Sequence, residues 1–239
     1  MAASFAPVAT SGKANLGARQ EYGLIEFLQH VFACPADIAT SIARRASDRR
    51  YPIRAIIVKQ GDKAGATFLL IAGRAHALVY GAEGQMVLLH EFVSGDFFGA
   101  IAQAEPAPED ADVMAVESVR AAVFPARDFL ALIEAHGCVG LAVSRMLLKR
   151  LRAASTRILE QMTLSAAGRV HAELLRLARL GDGRAVRPAP VLAALAIRVQ
   201  STRETVSRTI NALERRGIIR RDKDALVIVA PLRLEELVV

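Results

Sequence analysis

The chain has 239 residues, 53% of them hydrophobic and 23% charged, which is room for one large domain or two modest ones with proper cores. Its formal net charge of +7 points to a polyanionic partner, and the charge is uneven: residues 166–239 hold 14 Lys and Arg against 8 Asp and Glu, a net of +6 that leaves +1 for the first 165. No apolar run approaches the ~20 residues of a membrane span and the N-terminus lacks a signal-peptide core, while Cys34 and Cys138 share no metal or redox spacing, so a reducing cytoplasm is expected.

Residues 1–20, rich in Ala, Ser and Gly without periodicity, read as a disordered tail. From 22 to 46 the pattern predicts one or two short helices, broken near Pro35. From about Tyr51 to Pro125 the period becomes two. The runs AIIVKQGD, TFLLIAGRAHALVYGAEGQMVLLHEFVSGDFFG and VRAAVF alternate apolar residues with Gly-Asp and Glu-Gly turns. Short strands at this spacing, with no long helix between them, predict an antiparallel jelly roll or barrel.

After Pro125 the period returns to 3.6. Residues 126–137 predict a short helix and 139–164 a long one, in which Leu147, Leu151, Ala154 and Ile158 recur in steps of four and three, the narrow seam of a coiled coil. Ser165 is a suitable N-cap for the next helix, AAGRVHAELLRLARLG. Then VLAALAIRVQS gives a short helical pattern through Leu192, Leu195 and Val199. After a break of a few residues comes TRETVSRTINALERRG at 202–217.

In that last stretch Thr202 is a candidate N-cap, Gly217 a stop, and Val206, Ile210 and Leu213 form one apolar stripe. Arg203, Glu204, Ser207 and Arg208 share another face near the helix start. These are the side chains that read bases in a major groove, where arginine forks onto guanine O6 and N7 and a carboxylate accepts from cytosine N4. An ordinary solvated face with a Glu204–Arg208 pair at i,i+4 has the same composition. The residues that follow favour base reading. Ile218 and Ile219, the basic Arg220, Arg221 and Lys223, and LVIVA at 226–230 predict a β-hairpin wing.

The segment S-T-R-E-T-V-S-R at 201–208, with Leu195-Ala196 before it and the wing after it, resembles the recognition motif of the Crp–Fnr superfamily of bacterial transcription regulators. In the branch related to the fumarate and nitrate reduction regulator, the E-x-x-S-R pattern falls on Glu204, Ser207 and Arg208. In the cyclic-AMP receptor protein branch, R-E-x-x-x-R falls on Arg203, Glu204 and Arg208. Both patterns are satisfied, so TTGAT-like and TGTGA-like half-sites stay open. The resemblance implies an α+β chain: a cyclic-nucleotide-binding-like β-roll (jelly roll) sensor at 21–136, a dimerisation helix at 137–164, and a winged helix-turn-helix at 165–239 that binds double-stranded DNA. It further implies a homodimer on a palindrome, meeting through Leu147, Leu151, Ala154 and Ile158, with RNA polymerase as a partner. Base contacts are expected from Arg203, Glu204, Ser207 and Arg208, and backbone contacts from Thr202, Thr205, Arg220, Arg221 and Lys223. Two departures weaken the expected docking on the DNA backbone: Gln200 stands where the turn usually has Gly, and Val191-Leu192 open the first helix without a polar cap.

Gly61-Asp62, Gly73, Glu83-Gly84 and Gly95-Asp96-Phe97-Phe98-Gly99 stand where the resembled β-roll has its turns, and all but Gly99 are read as turns and nothing more. Members that bind cyclic AMP follow the Phe-Gly turn with a Glu and later place an Arg-Ser or Arg-Thr pair on the phosphate. Here Phe98-Gly99 is followed by Ala100, and the pair falls on Glu109-Asp110, carboxylates that would repel the phosphate. The position that meets the adenine amino group falls on Ala154. Cyclic AMP is therefore not expected as effector. His30, His76, His90, His136 and His171 are scattered singly and read as ordinary histidines, and two cysteines cannot hold a four-cysteine iron–sulfur cluster. A cyclic dinucleotide, a gas sensed through haem, or no ligand at all stay open. No metal-ligand or catalytic constellation was found, so no enzyme is expected.

Overall fold

The structure is a computed structural model that describes residues 23–81, 86–103, 105 and 107–238. The expected tail at 1–20 and the Glu83-Gly84 turn lie outside the described residues.

Two short helices, α1 (Leu24–Phe32) and α2 (Ala36–Ala43), precede eight strands: β1 (Ser47–Tyr51), β2 (Ile56–Val58), β3 (Ala66–Ala72), β4 (Ala75–Tyr80), β5 (Met86–Phe92), β6 (Phe97–Gly99), β7 (Asp112–Ala115) and β8 (Val119–Pro125). They pair antiparallel as two four-stranded sheets, β1-β8-β3-β6 and β2-β7-β4-β5. This is the expected β-roll. Strand β3 reads as a continuous apolar run because both its faces are covered. Phe68 and Leu70 point into the roll with Phe92, Phe98, Val113 and Val123. Leu69 and Ile71 point the other way, onto Phe27, Phe32, Phe97, Phe124 and Phe129.

Helix α3 (Ala126–Ala135) leads through a 109° bend into α4 (Gly137–Thr163). Val139, Val143 and Met146 seat the start of α4 in the aromatic cluster. Beyond Met146 the helix carries an apolar face that this chain does not cover, with Leu151 64% and Met162 81% exposed. Among the described residues no single helix is long and apolar enough to cross a membrane.

The C-terminal unit comprises α5 (Ala166–Arg179), β9 (Ala185–Val186), α6 (Leu192–Arg198), α7 (Arg203–Arg215), β10 (Ile219–Arg221), β11 (Leu226–Ile228) and α8 (Pro231–Glu235). Val170, Leu174, Leu195, Val206, Ile210, Leu213, Ile219 and Ile228 pack its core. The sheet order β10-β11-β9 gives the expected wing a third strand.

The differences from the sequence reading have a common cause. Strand β1 starts at Ser47, ahead of the expected Tyr51, because Ser47 to Arg50 are all exposed on an edge strand and show no apolar alternation. Strands β7 and β9 and helix α8 are too short to establish a period. The turn glycines at 61, 73 and 95 all have positive φ, and at Gly73 a Cβ would stand 2.1 Å from the Ser118 carbonyl oxygen. Gly73→Ala should therefore destabilise the sensor domain by about 2–4 kcal/mol, read as a lower denaturant midpoint at unchanged slope.

Candidate nucleic-acid interface

Helix α7 starts where Thr202 ends the extended turn: its Oγ1 accepts from the Thr205 N–H at 3.1 Å and its hydroxyl lies 3.0 Å from Thr205 Oγ1. Val206, Thr209, Ile210 and Leu213 are buried against the domain core, which turns the opposite face outward. On that face Arg203, Glu204 and Arg208 are exposed and Ser207 is half-buried. The i,i+4 pairing open to Glu204 and Arg208 is not formed. Arg208 instead donates weakly, at 3.5 Å, to Thr205 Oγ1, and among the described residues none of Arg203, Glu204 and Arg208 is held in an ion pair. The four expected base readers thus lie together over the first two turns with their charges available.

Of the expected backbone contacts, Thr202, Arg220 and Lys223 are exposed and Thr205 half-buried. Arg221, exposed as well, donates to Asn211 Oδ1 and lies 3.4 Å from Glu214, so it also braces the wing against α7. At the wing tip Asp222 and Asp224 flank Lys223, and the Asp222 carboxylate accepts from the Lys223 N–H at 2.8 Å. The wing is less basic than its Arg-Arg-x-Lys reading suggests.

The turn between α6 and α7 departs from the family pattern as expected. Gln200 takes φ 49°, the left-handed conformation glycine would adopt without penalty, and α6 has no side-chain cap at Val191. Arg169, which showed no signal in the sequence, holds this turn. From α5 its guanidinium donates to the carbonyls of Val199 (3.0 Å) and Leu164 (3.0 Å), closing both the end of α6 and the hinge. Ser165 caps α5 as expected, accepting from the Gly168 N–H at 3.0 Å.

In the sensor domain the expected effector residues take different structural places. Phe98 is a core residue, stacked on Phe68 at 4.9 Å and tilted against Phe92 at 4.8 Å. Gly99 also has a steric reason: φ is 81° and a Cβ would meet the Ala66 carbonyl oxygen at 2.4 Å. Ala100 is buried beside it, accepting from Thr67 Oγ1 at 2.7 Å. Glu109 is tied elsewhere, by backbone bonds to Gly61 and Asp62. Burial and the neighbouring Asp110 push its carboxyl above the usual range. Ala154 lies on the exposed length of α4.

Arg150 of α4, missed in the sequence because it falls within a basic helical run, enters the roll from the side. Its guanidinium lies 5.0 Å from the Phe92 ring centre and donates to the Phe97 carbonyl, and its buried Nε has no hydrogen-bond partner among the described residues. Burial lowers its pKa. His90 packs on the same ring at 4.8 Å; burial, then the charge of Arg150, push it down to about 4.

Comparison with known proteins agrees with this geometry. The Cyclic nucleotide-binding domain family matches residues 48–136, and the Crp-like helix-turn-helix domain family matches residues 168–237. The cyclic AMP receptor protein of Thermus thermophilus is 31% identical over 202 residues, spanning 84% of this chain and 91% of that protein. Among solved structures, a mutant of CooA from Carboxydothermus hydrogenoformans superposes with a TM-score of 0.72 at 20% identity, covering 83% of this chain and 90% of that one. FixK2 from Bradyrhizobium japonicum gives 0.68 at 19%, covering 80% and 96%. A sensor-type β-roll, a long helix and a winged helix-turn-helix with an exposed reading face define a transcription regulator, and the chain belongs to the Crp–Fnr superfamily. Members of that family are regulators, not enzymes.

Thr202→Ala removes the cap of α7 and should lower the stability of the DNA-binding domain by about 1 kcal/mol, seen as a shift of its thermal transition. In the unfolded chain His90 titrates near the ordinary histidine value of 6.5, whereas in the fold it refuses its proton down to about 4. Its contribution to stability is therefore complete above pH 6.5 and is lost as pH falls toward 4. Denaturation midpoints measured from pH 7.5 to 4 should decline, and His90→Gln should flatten part of that decline.

Proposed function

We propose that this regulator works in the cytoplasm as a homodimer on a palindromic DNA site and does not need cyclic AMP to bind it. The observation that carries the reading is the outward face of α7, where Arg203, Glu204, Ser207 and Arg208 stand over a Thr202-capped helix start with no internal salt bridge. The uncovered apolar face of α4, including Leu147, Leu151 and Ile158, supports dimerisation. A two-fold through that helix is what brings two reading helices toward the ~34 Å separation of successive major grooves. RNA polymerase is the expected partner of the DNA-bound dimer.

Independence from cyclic AMP rests on chemistry. The relative from Thermus is named for cyclic AMP, but this chain offers a buried methyl at Ala100, carboxylates at Glu109 and Asp110 and a methyl at Ala154. A second reading, gating by another nucleotide, a cyclic dinucleotide or a haem-bound gas, is supported by the unpartnered buried Nε of Arg150.

The test is fluorescence anisotropy with a TTGAT-N4-ATCAA duplex, the corresponding TGTGA palindrome and a scrambled duplex, at two salt concentrations, with and without cyclic AMP. Specific binding in the absence of nucleotide is expected; binding that requires cyclic AMP would overturn the proposal. Arg208→Ala should weaken specific binding by about 1–3 kcal/mol while leaving the scrambled duplex unaffected. Lys223→Ala should weaken both and reduce the salt slope by about one.

A further inference from the structure

The sensor and DNA-binding domains are joined by more than the hinge at Leu164-Ser165. Charged side chains of alternating sign run across their junction: Glu117, Arg74, Glu91, Arg198, Glu173, Arg176 and Glu160. The first three belong to the β-roll, with Arg74 placed 2.6 Å from Glu117 and 3.5 Å from Glu91. Arg198 is the last residue of α6, Glu173 and Arg176 lie on α5, and Glu160 lies near the end of α4. The crossing point is Glu91 on β5. One carboxylate oxygen accepts from Arg198, and the other lies 3.9 Å from His76 Nε2, its cross-strand neighbour. Both side chains are more than four-fifths buried, at 17% and 18% exposure. Arg198 also reaches Glu173, which is 5% exposed, at 3.6 Å.

Two further bonds converge on the same edge. Arg157 of α4 donates to the Leu89 carbonyl of β5 at 2.8 Å, and Gln161 of α4 donates to the Gln200 side chain in the turn before the reading helix. Because α6 packs on α7 through Leu195, Val206 and Ile210, whatever fixes Arg198 also fixes the attitude of the reading face.

We propose that the Glu91–Arg198 pair is an interdomain latch: it holds the DNA-binding domain in one orientation on β5, and its closure is required for tight binding of a two-half-site DNA. The proposal rests on the DNA-binding reading above. The physical basis is that a half-buried ion pair is costly to open from one side only. Removing either partner takes away the nearest counter-charge of the other and leaves it only the longer contacts, Arg198 to Glu173 at 3.6 Å or Glu91 to Arg74 at 3.5 Å, whereas a domain swinging freely on the hinge must be oriented anew each time the dimer engages DNA. Burial alone would raise the Glu91 pKa, yet His76 and Arg198 hold it down at about 2, so the latch stays charged throughout the physiological range.

The test uses the full chain with Glu91→Gln, Arg198→Gln and the double variant, read two ways. Hydrogen exchange should rise about tenfold in β5 and α6 for each single variant while β3 keeps its protection. Affinity for the palindromic duplex should fall at least tenfold, and the double variant should be no worse than the worse single within about twofold. Glu117→Gln, at the far end of the charge run, should leave α6 exchange unchanged. Should Glu91→Gln fail to fold, Arg198→Lys keeps the charge, loses the fork, and should show the same pattern at smaller amplitude. Unchanged exchange, multiplying effects in the double variant, or a gain in affinity would each overturn the latch. If the wild-type chain binds no palindrome, the DNA-binding reading fails while the exchange measurement still decides whether the latch exists.

Discussion

The constraint on which this structure depends is that α4 is anchored at one end. Val139, Val143 and Met146 fix its first three turns in an aromatic cluster built by Phe97, Phe124 and Phe129. The 109° bend from α3 then directs the remainder along the surface of the roll and out of its core. A helix held this way is a lever. Its apolar face beyond Met146 asks for a partner, its polar face carries Arg150 and Arg157 toward the roll, and its far end sets where the hinge and α5 begin. Core packing thus determines where dimer contact, sensor contact and DNA-binding domain can lie relative to one another.

Electrostatics divides the work along the same line. The C-terminal unit carries nearly all the excess positive charge, but its arginines are not equivalent. Arg169 closes carbonyls at the hinge and turn, Arg176 and Arg198 sit among carboxylates, and Arg221 braces the wing. At the start of α7, Arg203 and Arg208 face solvent and form no ion pair among the described residues, because the apolar stripe of α7 settles its rotation and Glu204 beside them is not engaged. Net charge draws DNA from a distance. The unpaired subset is what can form new bonds on arrival.

The sequence revealed most where a period could establish itself. Helices of ten or more residues, the two-period strands and the caps at Ser165 and Thr202 were all legible, because each follows from a local rule of spacing or hydrogen bonding. The edge strand β1, made of Ser-Asp-Arg-Arg-Tyr, was not, since a strand exposed on both faces shows no alternation. Among candidate site residues, the grouping of Arg203, Glu204, Ser207 and Arg208 on one face was legible from helical spacing. The role of Arg221 was not, because its partners Asn211 and Glu214 come from another element. Arg150 was illegible for the same reason: in the sequence it is one of several basic residues on a long helix, and only the bend of α4 brings it against Phe92.

The two domains also differ in how much their candidate site residues contribute to folding. The nucleotide-binding chemistry of a β-roll depends on a few polar side chains that contribute little to folding. Ala100 and the Glu109-Asp110 pair stand beside the β3, β6 and β8 pairing without taking part in its registers. The junction between the domains has no such freedom. Glu173 is buried and Glu91 and Arg198 are more than four-fifths so, and a charge withdrawn from water to that degree is tolerated only while it has a partner. The loss of one member weakens the pairing of its neighbours along the run, which makes the junction the more constrained of the two surfaces. On the latch proposed above, coupling between the domains runs through the β5–α6 contact and the Arg157–Leu89 bond beside it, so a ligand that moved α4 or β5 would be felt at α7 whether or not it resembled a cyclic nucleotide.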